Sequence, residues 1–175
     1  MSNCLVCNSL IEMSQFGHNY IEYINYLYTE IFKKDLYNNK LYYNGKKISL
    51  KRFPEECGWE NSFFHLTTVA SGKQVPLSDR EPDFRRCERL HWIKPAIMTN
   101  HIDLCNNTCF EEFEDNTRRN KRVKLLNELD RYIIILEDRQ DYYLLVTAFY
   151  IEKDYYLKGL IKEKRKAKRD RKSTR

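Results

Sequence analysis

Glycine and proline are scarce in this chain, with 5 and 4 among 175 residues. Scarcity of both excludes collagen-like and low-complexity architectures, and it favours a body of regular elements. Long apolar runs are missing too. The longest fall far short of the roughly 18–20 residues a membrane-spanning helix needs. The opening stretch MSNCLVCNSLIE has no basic region ahead of an apolar one. A secretory leader is therefore not expected there, and a cytoplasmic location is the expectation. No glycine loop of the phosphate-cradling type occurs, nor GxSxG, nor HExxH, so the common nucleotide-binding, serine-hydrolase and zinc-protease signatures are absent. Histidine is rare as well, with only four residues.

What is present is aromatic and unevenly charged. Thirteen tyrosines and nine phenylalanines accompany a 42% apolar fraction, enough for one core. The net charge of +6 is concentrated at one end. Lys158 to Arg175 hold ten Lys/Arg against two acids, and the other 157 residues hold 21 against 23. A near-neutral body is unlike an architectural DNA binder, whose folded face is itself basic. One domain over residues 1–157 with a basic helical or disordered tail over 158–175 is the organisation expected.

The pattern predicts an α+β fold: N-terminal helices plus a small twisted antiparallel sheet with a central C-terminal hairpin. Tyr20 to Tyr37 carries apolar residues at helical spacing behind Asn19, an N-cap with Glu22 three residues on. Asn44-Gly45 between strand-like flanks predicts a hairpin. NSFFHLTTV reads as a short strand or as a helix end, and as a strand it sets His65 and Thr67 on one face. Read as a strand, Phe84 to Thr99 aligns Arg89, His91 and Ile93 on one face up to Pro95. Thr117 to Asp130 has Val123, Leu126 and Leu129 at helical spacing. YIIIL and YYLLVTAFYI, separated by EDRQD, predict two strands and a tight turn, the second strand central because both its faces are apolar.

Six cysteines raise the question of a metal. Cys4-x-x-Cys7 and Cys105-x-x-x-Cys109 have spacings at which thiolate pairs meet zinc, and four thiolates would close a structural tetrahedral site. Reduced thiols are the competing reading in a chain without a leader.

His65, Thr67, Arg89, His91, Lys94, Thr147 and Tyr150 have the side chains that metal-independent RNA cleavage requires. A 2′-hydroxyl must lose a proton, the 5′-oxygen must gain one, and the phosphate's added charge must be held. Histidines serve the first two steps and Arg or Lys the third. Thr67 and Lys94 are the expected substrate contacts. In a regular strand Thr147 and Tyr150 lie on opposite faces, so one of them faces a site unless a bulge intervenes.

FFHLTT after a small hairpin, RCERLHWIKPAI in the middle and YYLLVTAFYI near the end resemble the phage-associated nucleases of the barnase–EndoU–colicin–RelE superfamily. The resemblance covers about 40 residues and includes neither the first 40 nor the cysteines. It implies a four-stranded antiparallel sheet with helices and an RNase of toxin or phage-defence type, held in check by an antitoxin or immunity protein. By position it implies a catalytic set of His65, then Arg89 or His91, then Thr147 or Tyr150, needing no cofactor for catalysis. The competing reading is a binding or inhibitor protein, zinc-stabilised, that engages a protein or nucleic acid through its tyrosines.

Overall fold

The computed structural model describes residues 7, 9–72, 75–98, 109–117 and 120–173, the last three as backbone. Asn19 opens the first long helix: its side-chain oxygen accepts from the N–H groups of Ile21 and Glu22, which meets two of the orphan donors of the first turn. α1 (Tyr20–Tyr26) runs on as a π-helical segment (Leu27–Tyr37), ending with Asn38 N–H on the Lys33 carbonyl, five residues back. Tyr23, Ile24, Leu27, Ile31, Phe32 and Leu36 are its buried stripe.

The Asn44-Gly45 hairpin forms between β1 (Tyr42–Tyr43) and β2 (Lys46–Ser49). Both turn residues have positive φ, 47° and 79°, as the tight hairpin turn demands. β2 then departs from the expected antiparallel pattern by pairing parallel with the strand of Tyr142–Tyr150.

The remaining strands are β3 (Thr68–Val69) and β4 (Glu81–Pro82), a separate antiparallel pair, and β5 (Glu111–Asp115), β6 (Arg122–Asn127), β7 (Tyr132–Asp138) and β8 (Tyr142–Tyr150). The main sheet has the order β1-β2-β8-β7-β6-β5, antiparallel except at β2–β8. The fold is thus α+β with the β7–β8 hairpin at its centre. A bulge interrupts that hairpin: Ile135 opposes Thr147 while Leu136 opposes Leu145, leaving Val146 as the extra residue.

Alternation along the central strands feeds two cores. Val123, Leu125, Tyr132, Ile134, Leu136, Leu145 and Ala148 pack with α1, the π-helical segment and the mid-chain helices. Leu126, Ile133 and Ile135 pack on the other face with Phe113, Ile151 and Leu160. Leu160 belongs to α5 (Asp154–Ser173), so the charge run beginning at Lys158 is most of a helix that covers the second face. Its inward cations are paired. Lys164 is 6% exposed and meets Glu111 at 2.5 Å and also Glu128. Lys124 of β6 lies between Asp115 and Glu163, at 3.1 and 2.6 Å.

Two sequence-based assignments are corrected. Thr117 to Asp130 holds β6 rather than a helix: Val123 to Asn127 are all buried, and pairing on both sides with β5 and β7 overrides the helix-forming Arg, Lys, Leu and Glu in its composition. The stretch from Phe84 is not a strand. It folds as α3 (Phe84–Cys87), a 3₁₀ turn (Leu90–Trp92) and α4 (Ile93–Ile97). Asp83 starts it by accepting from Arg86 N–H, and Pro95 sits within the first turn of α4, where a missing N–H costs nothing. FFHLTT resolves to the helical alternative, α2 (Asn61–Thr67). Among the described residues no helix is long and apolar enough to cross a membrane.

Candidate anion-binding site

β2 pairs with β8 only as far as Leu144. Beyond that point α2 and α3 pack against β8, and this junction gathers the residues of interest. Arg86 of α3 bridges the elements. Its Nη1 donates to the His65 carbonyl at 2.8 Å and reaches the Thr147 hydroxyl at 3.5 Å. Its Nε donates to Asp83 at 3.0 Å. The Thr147 hydroxyl is also 3.5 Å from the His65 carbonyl. The structure therefore brings the His65 backbone and the Thr147 side chain together, through an arginine that the sequence did not single out.

A second guanidinium joins them. Arg80, in the turn before β4, donates from Nε to the Thr68 hydroxyl at 2.8 Å and from Nη2 to the Thr68 carbonyl at 3.2 Å. No carboxylate pairs with it among the described residues. Burial and the charge of Arg86 both push its pKa down. The His65 imidazole is half-buried and makes no hydrogen bond among the described residues. Its pKa is held below the ordinary 6.5, first by burial, then by the positive charges of Arg80, Lys51 and Arg86. Three cations around one neutral imidazole face a single bonded carboxylate, Asp83. Such a surplus of positive charge is suited to an oxyanion.

The other expected residues lie elsewhere. Arg89 and Tyr150 form their own group, with the Arg89 guanidinium 4.7 Å from the Tyr150 ring centre and 5.3 Å from that of Trp92. Arg89 donates to the Arg85 carbonyl and to Glu88, at 3.0 and 2.9 Å. His91 is set against the N-terminal segment, its Nε2 3.3 Å from the Ser9 hydroxyl. Its Nδ1 is buried without a partner. Burial, with Arg89 nearby, lowers its pKa to about 4 against one opposing hydrogen bond to the Ser9 backbone. Lys94 is spent on Asp35 at 2.8 Å, tying α4 to the π-helical segment. Thr67 is buried and donates to the Phe63 carbonyl one helical turn back, at 2.7 Å. The helix also dissolves the proposed shared face: two residues along a helix are about 200° apart. The bulge at Val146 precedes Thr147, so Thr147 and Tyr150 remain on opposite faces.

Of the four cysteines expected to bind zinc, Cys4 and Cys105 lie outside the described residues. Cys7 is buried in the main core beside Asn127, whose Nδ2 is 3.7 Å from its sulfur, and Cys109 packs at the edge of the same core. Among the described residues no group of three His, Cys, Asp or Glu side chains is arranged to hold a metal.

Arg80 was not legible because it sits in the polar stretch Ser71–Pro82, which carries no periodicity. Arg86 had a local signal, the Asp83 cap three residues before it, which marks a helix start. Comparison with protein-family models, with curated proteins and with solved structures gives no match.

Proposed function

We propose that the chain is a metal-independent endoribonuclease whose reaction centre is His65 with Arg80, Arg86 and Thr147. The observation that carries this reading is the half-buried, unbonded His65 ring in a segment whose His65 carbonyl holds Arg86 and whose Thr68 hydroxyl holds Arg80. A phosphodiester held by the two guanidiniums presents its 2′-hydroxyl to His65. The imidazole takes that proton, the 2′-oxygen attacks phosphorus, and the P–O5′ bond breaks. Solvent protonates the leaving 5′-oxygen. The products are a 2′,3′-cyclic phosphate and a 5′-hydroxyl. The arginines bind the extra charge of the transition state, and the Thr147 hydroxyl completes the donor set. His91 has no part in this scheme.

The position of His91 and Lys94 favours a second reading. With both turned to structural contacts, neither stands beside His65 as a second proton-transfer group, which suits a protein that binds phosphodiesters without cleaving them.

Incubation with total RNA in EDTA, followed by mapping of 5′-hydroxyl ends, separates the two. New ends made by the wild-type chain are expected to fall by about 10²–10⁴-fold in His65→Ala, with an unchanged circular dichroism spectrum and melting temperature. The rate should rise with pH through a half-point below 6.5, and Arg80→Gln should move that half-point upward. Undiminished cleavage in a folded His65→Ala protein overturns the assignment. No cleavage, together with RNA binding weakened by Arg80→Gln, selects the binding reading.

A further inference from the structure

α5 uses its two sides differently. Leu157, Leu160, Ile161 and Ala167 pack on the sheet, and the buried Lys164 and the exposed Lys168 are both paired with Glu111. The outward stripe is Tyr155, Lys158, Lys162, Arg165 and Arg169, all exposed. Their spacings of three and four place them in one row along the helix. None of the four cations has a carboxylate partner among the described residues. At 1.5 Å per residue the row is about 21 Å long.

The row begins beside the candidate reaction centre. The Arg86 guanidinium lies 5.3 Å from the Phe149 ring centre, and Phe149 packs on Tyr156 of the first turn of α5 at 6.1 Å. Tyr155 and Tyr156 are 70% and 41% exposed there. Unpaired cations at one-turn intervals behind exposed aromatic rings fit a backbone of phosphates whose bases are free to stack. A duplex offers the phosphates but hides the base faces.

We propose that the outer face of α5 is a track for single-stranded RNA, leading the strand from Tyr155 and Tyr156 along Lys158, Lys162, Arg165 and Arg169. It rests on the reading of His65, Arg80 and Arg86 as a phosphodiester site, and it adds where the rest of the strand lies.

The test uses the full-length chain and a fluorescein-labelled 30-nucleotide oligo-U carrying 2′-O-methyl groups, which cannot be cleaved. Anisotropy is read between 50 and 200 mM salt for the wild type and for K158Q/K162Q/R165Q/R169Q. Four phosphate contacts on a single strand contribute about 2.8 to the slope of log K against log salt. The wild type should therefore lose about 50-fold more affinity than the variant over that range, and Y155A should weaken binding at every salt concentration. An unchanged slope and dissociation constant in the quadruple variant overturns the track. So does equal or tighter binding to an RNA duplex of the same length or to phosphatidylserine vesicles. Parallel cleavage of unmodified oligo-U keeps the two readings apart. Cleavage that persists with wild-type binding in the quadruple variant removes the track alone. Slope-sensitive binding without any His65-dependent cleavage removes the enzyme alone.

Discussion

Leu160→Ala tests whether the basic C-terminal segment is an appendage or part of the fold. Leu160 is 2% exposed and packs with Phe113, Leu126, Ile133, Ile135 and Ile151 on the second face of the sheet. Truncation removes three carbons, about 2.4 kcal/mol at about 0.8 kcal/mol per buried methylene. The cavity left under a helix that is also held by Lys164 and Lys168 cannot fully collapse, which takes the loss to about 2–5 kcal/mol. With a urea slope of about 2 kcal/mol/M, the unfolding midpoint falls by about 1–2.5 M. Lys162→Ala is the control, because Lys162 is exposed and unpaired; its effect should stay within about 0.5 kcal/mol. Urea titrations followed by circular dichroism give both numbers. A Leu160→Ala midpoint no lower than that of the control would refute the packing argument and return α5 to the status of a solvated tail.

Lys164→Met should destabilise more than Lys162→Met, by about 1–3 kcal/mol, because it takes the buried cation from Glu128 and leaves Glu111 with Lys168 alone; matched urea midpoints for the two variants would contradict this. For His91 the sign follows from its lowered pKa of about 4. The unfolded chain binds the proton first, so this contribution is complete above the ordinary 6.5 and is lost as pH falls toward about 4. His91→Gln should therefore show a smaller loss of stability between pH 7 and pH 4.5 than the wild type, measured as melting temperature, and equal losses would remove His91 from the acid response.

The legible parts of the fold were those whose signals are local. Asn19 caps α1 as its side chain predicts, Asn44-Gly45 turns the hairpin, and EDRQD separates the two central strands. β6 was misread because its apolar residues fill both faces. Val123 and Leu126 are three apart and point to opposite cores, a spacing that imitates a helix when only one face is imagined. Leu129, the third member of the supposed stripe, is 83% exposed in the turn that follows. The parallel pairing of β2 with β8 joins residues almost a hundred positions apart, and no periodicity announces such a contact. The candidate site divides the same way. The Thr147 hydroxyl meets the His65 carbonyl across 82 residues. Their link is Arg86, a residue with a visible cap signal but no visible charge role.

The helical state of FFHLTT decides what its histidine is for. As a strand it would have set His65 and Thr67 side by side as a paired acid/base and phosphate contact. As α2 it assigns each residue separately. Phe63 and Leu66 enter the main core. Thr67 and Thr68 turn back onto the carbonyls of Phe63 and Phe64, at 2.7 and 2.6 Å, which competes with continuation of the helix and ends it there. Thr68 then uses its hydroxyl and carbonyl to hold Arg80, while the carbonyl of His65 receives Arg86. The His65 carbonyl and the hydroxyl and carbonyl of Thr68 thus position guanidiniums at this end of the helix. The imidazole of His65 is the one polar side chain of the segment left without a bond. The half-buried His65 ring makes no bond among the described residues, whereas the His91 ring is tied through Nε2 to Ser9 with its Nδ1 buried, and that difference is why the reaction is proposed for His65 and not for His91.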